Sequence, residues 1–248
     1  MLHPKLQGIA LGIVLGVLVL PASASAQGTP DYGAIVGSPD RSDADRETDK
    51  RRDPVKLLAF TGVRPGMTVL DMGAGGGYST ELLARAVAPN GKVYGQNATE
   101  PARPRERFEA RMQTPAMRNV VSLVRPFDDP LPADVRDLDL ITFFFFYHDT
   151  TYMQVDRAAM NRKLFAALKP GAFLVVADHS AKPGDGVTVG KTLHRIEESV
   201  LRREVEAAGF KLTAEADFLR HPQDPRDFST GRPPSPVDEF VLKFQKSP

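Results

Sequence analysis

The sequence lacks cysteine altogether, and its charges nearly cancel. With no cysteine among 248 residues, disulfide bonds, thiolate zinc sites, a cysteine nucleophile and a cysteine-linked lipid anchor are all excluded. A formal net charge of +1 gives no electrostatic basis for general nucleic-acid binding. What remains, with 42% hydrophobic and 25% charged residues, is typical of a globular chain, and the length fits one domain of ordinary size.

One apolar run at the N-terminus stands apart from this balanced composition. A short basic start precedes an unbroken apolar or glycine run at 9–20 and the small-residue pattern Ala24-Ser25-Ala26. The run is too short for a comfortable membrane span and is typical of a secretory signal. We therefore predict a signal peptide at 1–26, cleaved after Ala26, and a periplasmic or secreted protein without a stable membrane span. An uncleaved membrane anchor is the alternative.

Residues 27–52 are predicted to be a polar lead-in that ends in a charged helix. Residues 27–40 are rich in glycine, proline, serine and aspartate, and 41–52 carry opposite charges three and four positions apart. Such spacing favours a solvated surface helix, with a helix that covers a ligand as the alternative. The main domain is predicted to span 53–248.

A glycine-rich turn is the most informative stretch of the chain. An apolar strand at 69–72 leads into Gly73, Gly75 and Gly77, and a helix begins at Ser79 or Thr80. Alternate glycines allow backbone angles that a Cβ forbids and let a ligand lie against the main chain. The first amides of the helix then point at that ligand. The turn predicts a site for a nucleotide-like molecule.

The rest of the domain alternates between strands and helices. The strand at 69–72, its helix and the strand at 92–97 have the length of a βαβ unit. The apolar run at 138–146 suits a strand buried on both faces, so its phenylalanines at 143–146 are predicted to be sheet core rather than a substrate slot. Later helices are predicted at 152–168 and 192–208. This order indicates an α/β fold with helices on both faces of the sheet.

Three motifs in this order resemble class I S-adenosylmethionine-dependent methyltransferases. Asp71-x-Gly73-x-Gly75-x-Gly77 follows a hydrophobic strand, as the first motif of that family does. Lys169-Pro170-Gly171 and Ala207-Ala208-Gly209-Phe210 are similar to the family's approaches to its fifth and sixth strands. The dinucleotide-binding pattern G-x-G-x-x-G is not matched, because it would require glycine where this chain has Tyr78.

The resemblance implies a Rossmann-like, doubly wound sheet of seven strands, mostly parallel with the last strand antiparallel. It also implies that S-adenosylmethionine lies across the carboxyl ends of the strands and contacts Asp71, Gly73, Gly75, Gly77, Asn97 and Asp128. Asp71 would orient the loop or the methionine amine, and Asn97 would hold the ribose where the family usually carries an acid. Glu100 is the reserve for that contact. Asp128 would bind the adenine amino group, with a plain turn role as its alternative.

Two histidines follow predicted strands at the sheet edge where open α/β folds hold their sites. His148 precedes Asp149, and His179 follows Asp178. Either histidine could take a proton near neutral pH, so His148 and His179 are the predicted catalytic residues. Loop or capping roles are the alternatives, and His194 is expected to orient a loop. We predict no metal site, because nothing in the sequence fixes the distance between the two pairs.

The predicted function is S-adenosylmethionine-dependent methyl transfer to a small-molecule substrate. The protein would mainly align the nucleophile with the sulfonium, with possible general-base help. The alternative is an exported, non-enzymatic ligand-binding protein on the same scaffold. The sequence indicates neither the acceptor nor the oligomeric state.

Overall fold

A computed structural model of the protein describes residue 1 and residues 28–100 and 102–247. Apart from its first residue, the predicted signal peptide at 1–26 lies outside these described residues. The helices are Tyr32–Val36 (α1), Asp43–Arg52 (α2), Pro54–Thr61 (α3), Tyr78–Val87 (α4), Ala102–Arg111 (α5), Arg157–Ala167 (α6), Gly190–Leu193 (α7) and Glu198–Ala207 (α8). The strands are Thr68–Met72 (β1), Lys92–Asn97 (β2), Val120–Val124 (β3), Leu138–Phe144 (β4), Leu168–His179 (β5), Phe210–Ala216 (β6) and Glu239–Lys246 (β7).

The strands form one seven-stranded sheet in the order β3-β2-β1-β4-β5-β7-β6. β1 pairs in parallel with β2 and β4, and β7 runs antiparallel between β5 and β6. The predicted doubly wound, mostly parallel sheet with its last strand antiparallel is therefore confirmed. Because the chain turns from β1 to β2 on one side and later to β4 on the other, a topological switch point lies at the carboxyl end of β1.

Hydrophobic side chains fill both faces of the sheet, as the continuous apolar run of β4 predicts. Leu83 of α4 packs in the cluster on one face, and Leu164 of α6 packs in the cluster on the other. Neighbours in β4 join opposite clusters, with Phe143 on the α6 side and Phe144 on the α4 side. The sheet is thus a buried central layer, and its carboxyl edge is where polar groups gather.

The late helical region differs from the prediction at one decisive point. The spacing of apolar residues predicts one helix over 192–208, but the structure has two helices, α7 and α8. His194 adopts a left-handed backbone with φ of 53° and ends α7. The next residue, Arg195, is fully buried and pairs with Asp224 at 2.8 Å. That buried ion pair holds the segment between the helices against the loop before β7.

Residues before the predicted boundary at 53 pack on the main domain. Tyr32 of α1 is buried, and its hydroxyl donates to the carbonyl of Val63 at 2.7 Å. α2 lies over the turn between β1 and α4, where the hydroxyl of Tyr78 donates to Asp49 at 2.6 Å. The boundary at 53 stays a prediction, although α1 and α2 both contact the main domain. No helix within the described ranges is long and apolar enough to cross a membrane.

Candidate active site

The glycine turn joins β1 to α4 at the switch point of the sheet. Gly73, Gly75 and Gly77 have φ of 61°, 57° and 85°, in the left-handed region that residues with a Cβ rarely adopt. A Cβ on Gly73 would lie 3.0 Å from the Phe146 ring, whereas one on Gly75 would meet no protein atom nearer than 3.9 Å. The turn is therefore closed by Phe146 on one side and open at Gly75.

Asp71 braces the base of this turn. Its buried carboxylate accepts hydrogen bonds from the hydroxyls of Thr80, at 2.6 Å, and Thr142, at 2.8 Å. Burial raises the pKa of Asp71 to about 6 despite these bonds. The carboxylate thereby joins β1 to α4 and to β4.

Two buried amides at the end of β2 hold the same turn. Oε1 of Gln96 accepts the backbone N–H of Gly73 at 3.1 Å. Asn97 accepts the N–H of Gly75 at 2.9 Å and donates to the Gly75 carbonyl at 3.2 Å. The predicted ribose ligand thus has both ends of its amide engaged by the turn. An acidic residue at this position could not make the second bond, because a carboxylate cannot donate.

Helix α2 lies over the glycine turn and borders a cavity of about 240 Å³ that is partly open to solvent. Thr48, Arg51 and Arg52 form the α2 wall, and the phenylalanines at 144–146 form another. Phe145 has a left-handed φ of 56°, so the strand ends before it, and its buried ring belongs to the core cluster on the α4 face and also lines the cavity. The cavity is somewhat smaller than the range of about 300–1,000 Å³ that small-molecule sites occupy.

Arg52 is the functional candidate that sequence reasoning missed. Its guanidinium lies 4.6 Å from the ring centroid of Phe145 and 5.2 Å from that of Tyr78. Its Nε is buried and has no hydrogen-bond partner in the part of the chain that the structure describes. Burial lowers the pKa of Arg52 to about 10. A partly buried cation with a buried, free Nε donor is suited to an anionic ligand, and the only sequence signal was its place at the end of a charged helix.

Ion pairs fix α2 over the turn. Arg111 of α5 donates to Asp45 of α2 at 2.7 and 2.8 Å and to Glu81 of α4 at 2.6 Å. The bond from Tyr78 to Asp49 adds a second anchor from α4. These contacts favour the alternative interpretation of α2, a helix that covers a ligand site, over a solvated surface helix.

The predicted cofactor residues separate into two groups. Asp71, Gly73 and Gly75 line the cavity. Gly77 caps α4 and Asn97 bonds the turn, but neither lines the cavity. Asp128 is partly exposed in the loop after β3, away from the cavity wall.

The two predicted catalytic histidines lie together, with ring centroids 5.5 Å apart. Both are buried. Nδ1 of His148 lies 2.6 Å from Asp178, and its Nε2 lies 3.1 Å from Asp149. Burial opposes the charged imidazole, but these carboxylates outweigh it and raise the pKa of His148 to about 10. His148 is therefore a protonated imidazolium at neutral pH, and the two carboxylates fix its position.

His179 has the opposite environment. Its ring stacks on Phe145 with centroids 5.3 Å apart, directly behind the cavity wall. Nδ1 of His179 lies 2.9 Å from Oε1 of Glu239, yet neither atom makes a well-aligned hydrogen bond within the described residues. Burial lowers the pKa of His179 to about 3 and raises that of Glu239 to about 8. The imidazole is neutral, and the carboxyl group is protonated.

Comparisons with known proteins agree with this geometry. Residues 64–210 match the family described as "Methyltransferase domain". The ubiquinone/menaquinone biosynthesis C-methyltransferase of Ectopseudomonas mendocina is 27% identical over 164 residues, which cover 66% of this chain and 59% of that protein. The chain thus matches little more than half the length of this curated relative.

Solved structures share the fold. A SAM-dependent methyltransferase from Aquifex aeolicus superposes with a TM-score of 0.61 at 20% identity, covering 87% of this chain and 98% of that one. Fibrillarin from Aeropyrum pernix, solved with natively bound S-adenosyl-L-methionine, gives a TM-score of 0.51 at 16% identity, covering 76% and 74%. The family match covers more than half of the chain and contains the glycine turn. The chain therefore belongs to the methyltransferase domain family and carries a class I S-adenosylmethionine-dependent methyltransferase domain.

Proposed function

We propose that this methyltransferase acts on a small-molecule acceptor, which reaches the carboxyl edge of the sheet beside Phe145. The observation that carries the proposal is the small cavity under α2, with His179 stacked on its wall residue Phe145 and His148 next to His179. The Arg111–Asp45 ion pair from α5 and the hydrogen bond from Tyr78 of α4 to Asp49 tie α2 down, so a macromolecular acceptor would have to displace a salt-bridged helix. A small acceptor needs only an opening beside α2.

The residues of the cavity suit the cofactor. S-adenosylmethionine supplies an activated sulfonium methyl group when bound. Gly75 leaves open space on the cavity side of the turn, and Arg52 presents a buried guanidinium with an unpartnered Nε to a ligand carboxylate. Asp71 and the amides of Gln96 and Asn97 would keep the turn in shape rather than compete for the ligand.

His179 is proposed as the general base and His148 as its fixed cationic neighbour. His179 stacks on Phe145, and its Nδ1 lies 2.9 Å from Oε1 of Glu239 without a well-aligned hydrogen bond among the described residues. Its imidazole is neutral and can accept a proton, but burial makes it a weak base by lowering its pKa to about 3. His148 is held by two carboxylates, so it would orient an acceptor or balance its charge. Removing the acceptor proton while the backbone aligns the methyl group is the chemistry that such a site offers.

Methyl-tritiated S-adenosylmethionine tests this proposal with a panel of small hydroxyl, amine and thiol compounds. We expect label in a small-molecule product from the wild type, and a loss of transfer by about 10²–10⁴-fold in His179→Ala without a matching loss of cofactor affinity. The exposed His221 provides the control His221→Ala, which should transfer normally. Label found only on added protein or nucleic acid, or full activity in His179→Ala, would contradict the proposal.

We also propose that the protein is exported. The support is the basic, apolar and small-residue order of residues 1–26, which is the order of a secretory signal. Fractionation of cells that express the full chain, together with N-terminal sequencing, tests it. Export predicts a periplasmic or secreted protein that starts at Gln27, and an intact Met1 in the cytoplasmic fraction would refute it.

A further inference from the structure

Three side chains beside the cofactor cavity converge on one point. Nε2 of His148 and Nδ1 of His194 lie 3.1 and 3.0 Å from the same oxygen, Oδ1 of Asp149. One potential ligand atom from each residue can be chosen so that all three lie within 4.8 Å of one another. Two imidazoles and a carboxylate are a ligand set that first-row transition metals bind.

We propose that His148, Asp149 and His194 bind one divalent transition-metal ion of the zinc type. Tetrahedral coordination with bonds of about 2.0–2.1 Å places neighbouring ligand atoms about 3.3 Å apart. The observed separations of 3.1 and 3.0 Å differ from that value by a few tenths of an ångström. The ligand atoms of the two histidines lie within the 4.8 Å that bounds the cluster and need to approach each other to about 3.3 Å for the ion to bind.

Asp178 supplies the outer hydrogen bond that metal-binding histidines usually have. Its Oδ1 lies 2.6 Å from Nδ1 of His148, and its Oδ2 accepts the backbone N–H of His148 at 2.8 Å. This contact keeps one proton on Nδ1 and aims Nε2 at Asp149, 3.1 Å away. In the metal-free chain Nε2 of the imidazolium carries a second proton, and a bound metal ion would replace that proton and supply the positive charge in its place.

The backbone conformation of α7 brings the ring of His194 to Asp149. A Cβ on Gly190 would lie only 2.3 Å from Oγ1 of Thr151, so glycine is required for α7 to lie against the 3₁₀ turn Tyr147–Thr151. The left-handed backbone of His194 then ends α7, and its ring reaches Asp149. A helix running on through residue 194 would not make this turn.

The three side chains form a path from the interior to solvent. The exposed fraction rises from 3% for His148 to 16% for Asp149 and 38% for His194. An ion can therefore reach the site without unfolding the domain. Three protein ligands leave a coordination position for water or for an acceptor oxygen. The proposal goes beyond the proposed function, because binding of the ion requires no cofactor.

Calorimetric titration of metal-stripped, untagged full chain with Zn²⁺, in the absence of S-adenosylmethionine, tests the site. We expect one equivalent to bind, and Co²⁺ in its place should give the visible bands of a tetrahedral N/O complex. His194→Ala should weaken Zn²⁺ binding by more than about 100-fold, because even outer-shell changes cost about 10–100-fold. His194 is half-exposed, so this variant should keep its fold, which its melting temperature checks.

His221→Ala is the matched control, since it removes an exposed histidine elsewhere, and it should bind Zn²⁺ like the wild type. Equal affinity in wild type and folded His194→Ala would overturn the proposal, as would no saturable binding by the wild type. Binding of S-adenosylmethionine to the same sample is measured separately. A chain that binds the cofactor but not Zn²⁺ would refute the metal site alone.

Discussion

Replacing Gly75 by alanine separates the role of the glycine turn in binding from its role in folding. The added Cβ would meet no protein atom nearer than 3.9 Å, so the free protein has room for it. Its backbone φ of 57° is left-handed, and this conformation costs a residue with a Cβ about 1–2 kcal/mol. The same Cβ would stand in the cavity beside the turn, where the cofactor is expected.

Gly186 provides a matched control. Its φ is 58°, and a Cβ there would meet nothing within 4 Å, but it lies in the loop before α7, away from the cavity. Gly75→Ala and Gly186→Ala should therefore lose the same stability, about 1–2 kcal/mol, or roughly 2–8 °C in melting temperature. Only Gly75→Ala should lose affinity for S-adenosylmethionine, by at least about tenfold, or about 1.4 kcal/mol.

Thermal unfolding and calorimetric titration of the two variants give the answer. A folded Gly75→Ala protein that binds S-adenosylmethionine as tightly as the wild type would refute the placement of the cofactor against the turn. Equal losses of affinity in both variants would show that backbone strain, and not a blocked cavity, causes the effect.

Buried charges lead to three further predictions. Arg52→Met should weaken S-adenosylmethionine binding at least about tenfold. It should cost little stability, because the partly buried guanidinium makes no salt bridge among the described residues. Equal weakening in Lys50→Met, an exposed change on the same helix, would contradict a specific contact. The pKa of Asp71 is about 6 in the folded protein against an ordinary value of 3.8, so ionising Asp71 lowers the free energy of unfolding by up to about 3 kcal/mol as pH rises from 4 to 6. Asp71→Asn should remove this pH dependence in denaturant titrations at several pH values. Parallel stability profiles of wild type and variant would refute the prediction. Arg195→Met should lower the free energy of unfolding by about 3–5 kcal/mol, since it removes the ion-pair partner of a buried carboxylate. Arg202→Met removes only exposed ion pairs and should cost about 0–1 kcal/mol. Equal losses of stability in chemical denaturation would contradict the buried pairing.

Local sequence patterns were enough to predict the sheet and the glycine turn. Glycines at 73, 75 and 77 encode a left-handed turn directly, and apolar runs such as β4 encode buried parallel strands. The number of strands and the antiparallel last strand followed from the resemblance, because the motifs fall at fixed places in the fold. These features depend on residues that are neighbours in the chain.

Contacts between residues distant in the chain could not be predicted from the sequence. The resemblance assigns Asn97 to the ribose, but its amide bonds both backbone groups of Gly75. Apolar spacing predicts a helix through His194, and the left-handed break there is followed by Arg195, whose buried ion pair with the distant Asp224 no local pattern predicts. No local pattern reveals that Arg52 would be buried over the glycine turn, since a charged helix usually faces water.

A crystal structure of the full chain with S-adenosylhomocysteine, the product form of the cofactor, tests the central claim most directly. We predict that the ligand lies against the turn at 73–76 beneath α2, with its carboxylate on Arg52. A ligand bound elsewhere, or bound with Arg52 turned away from it, would contradict the site described for this methyltransferase.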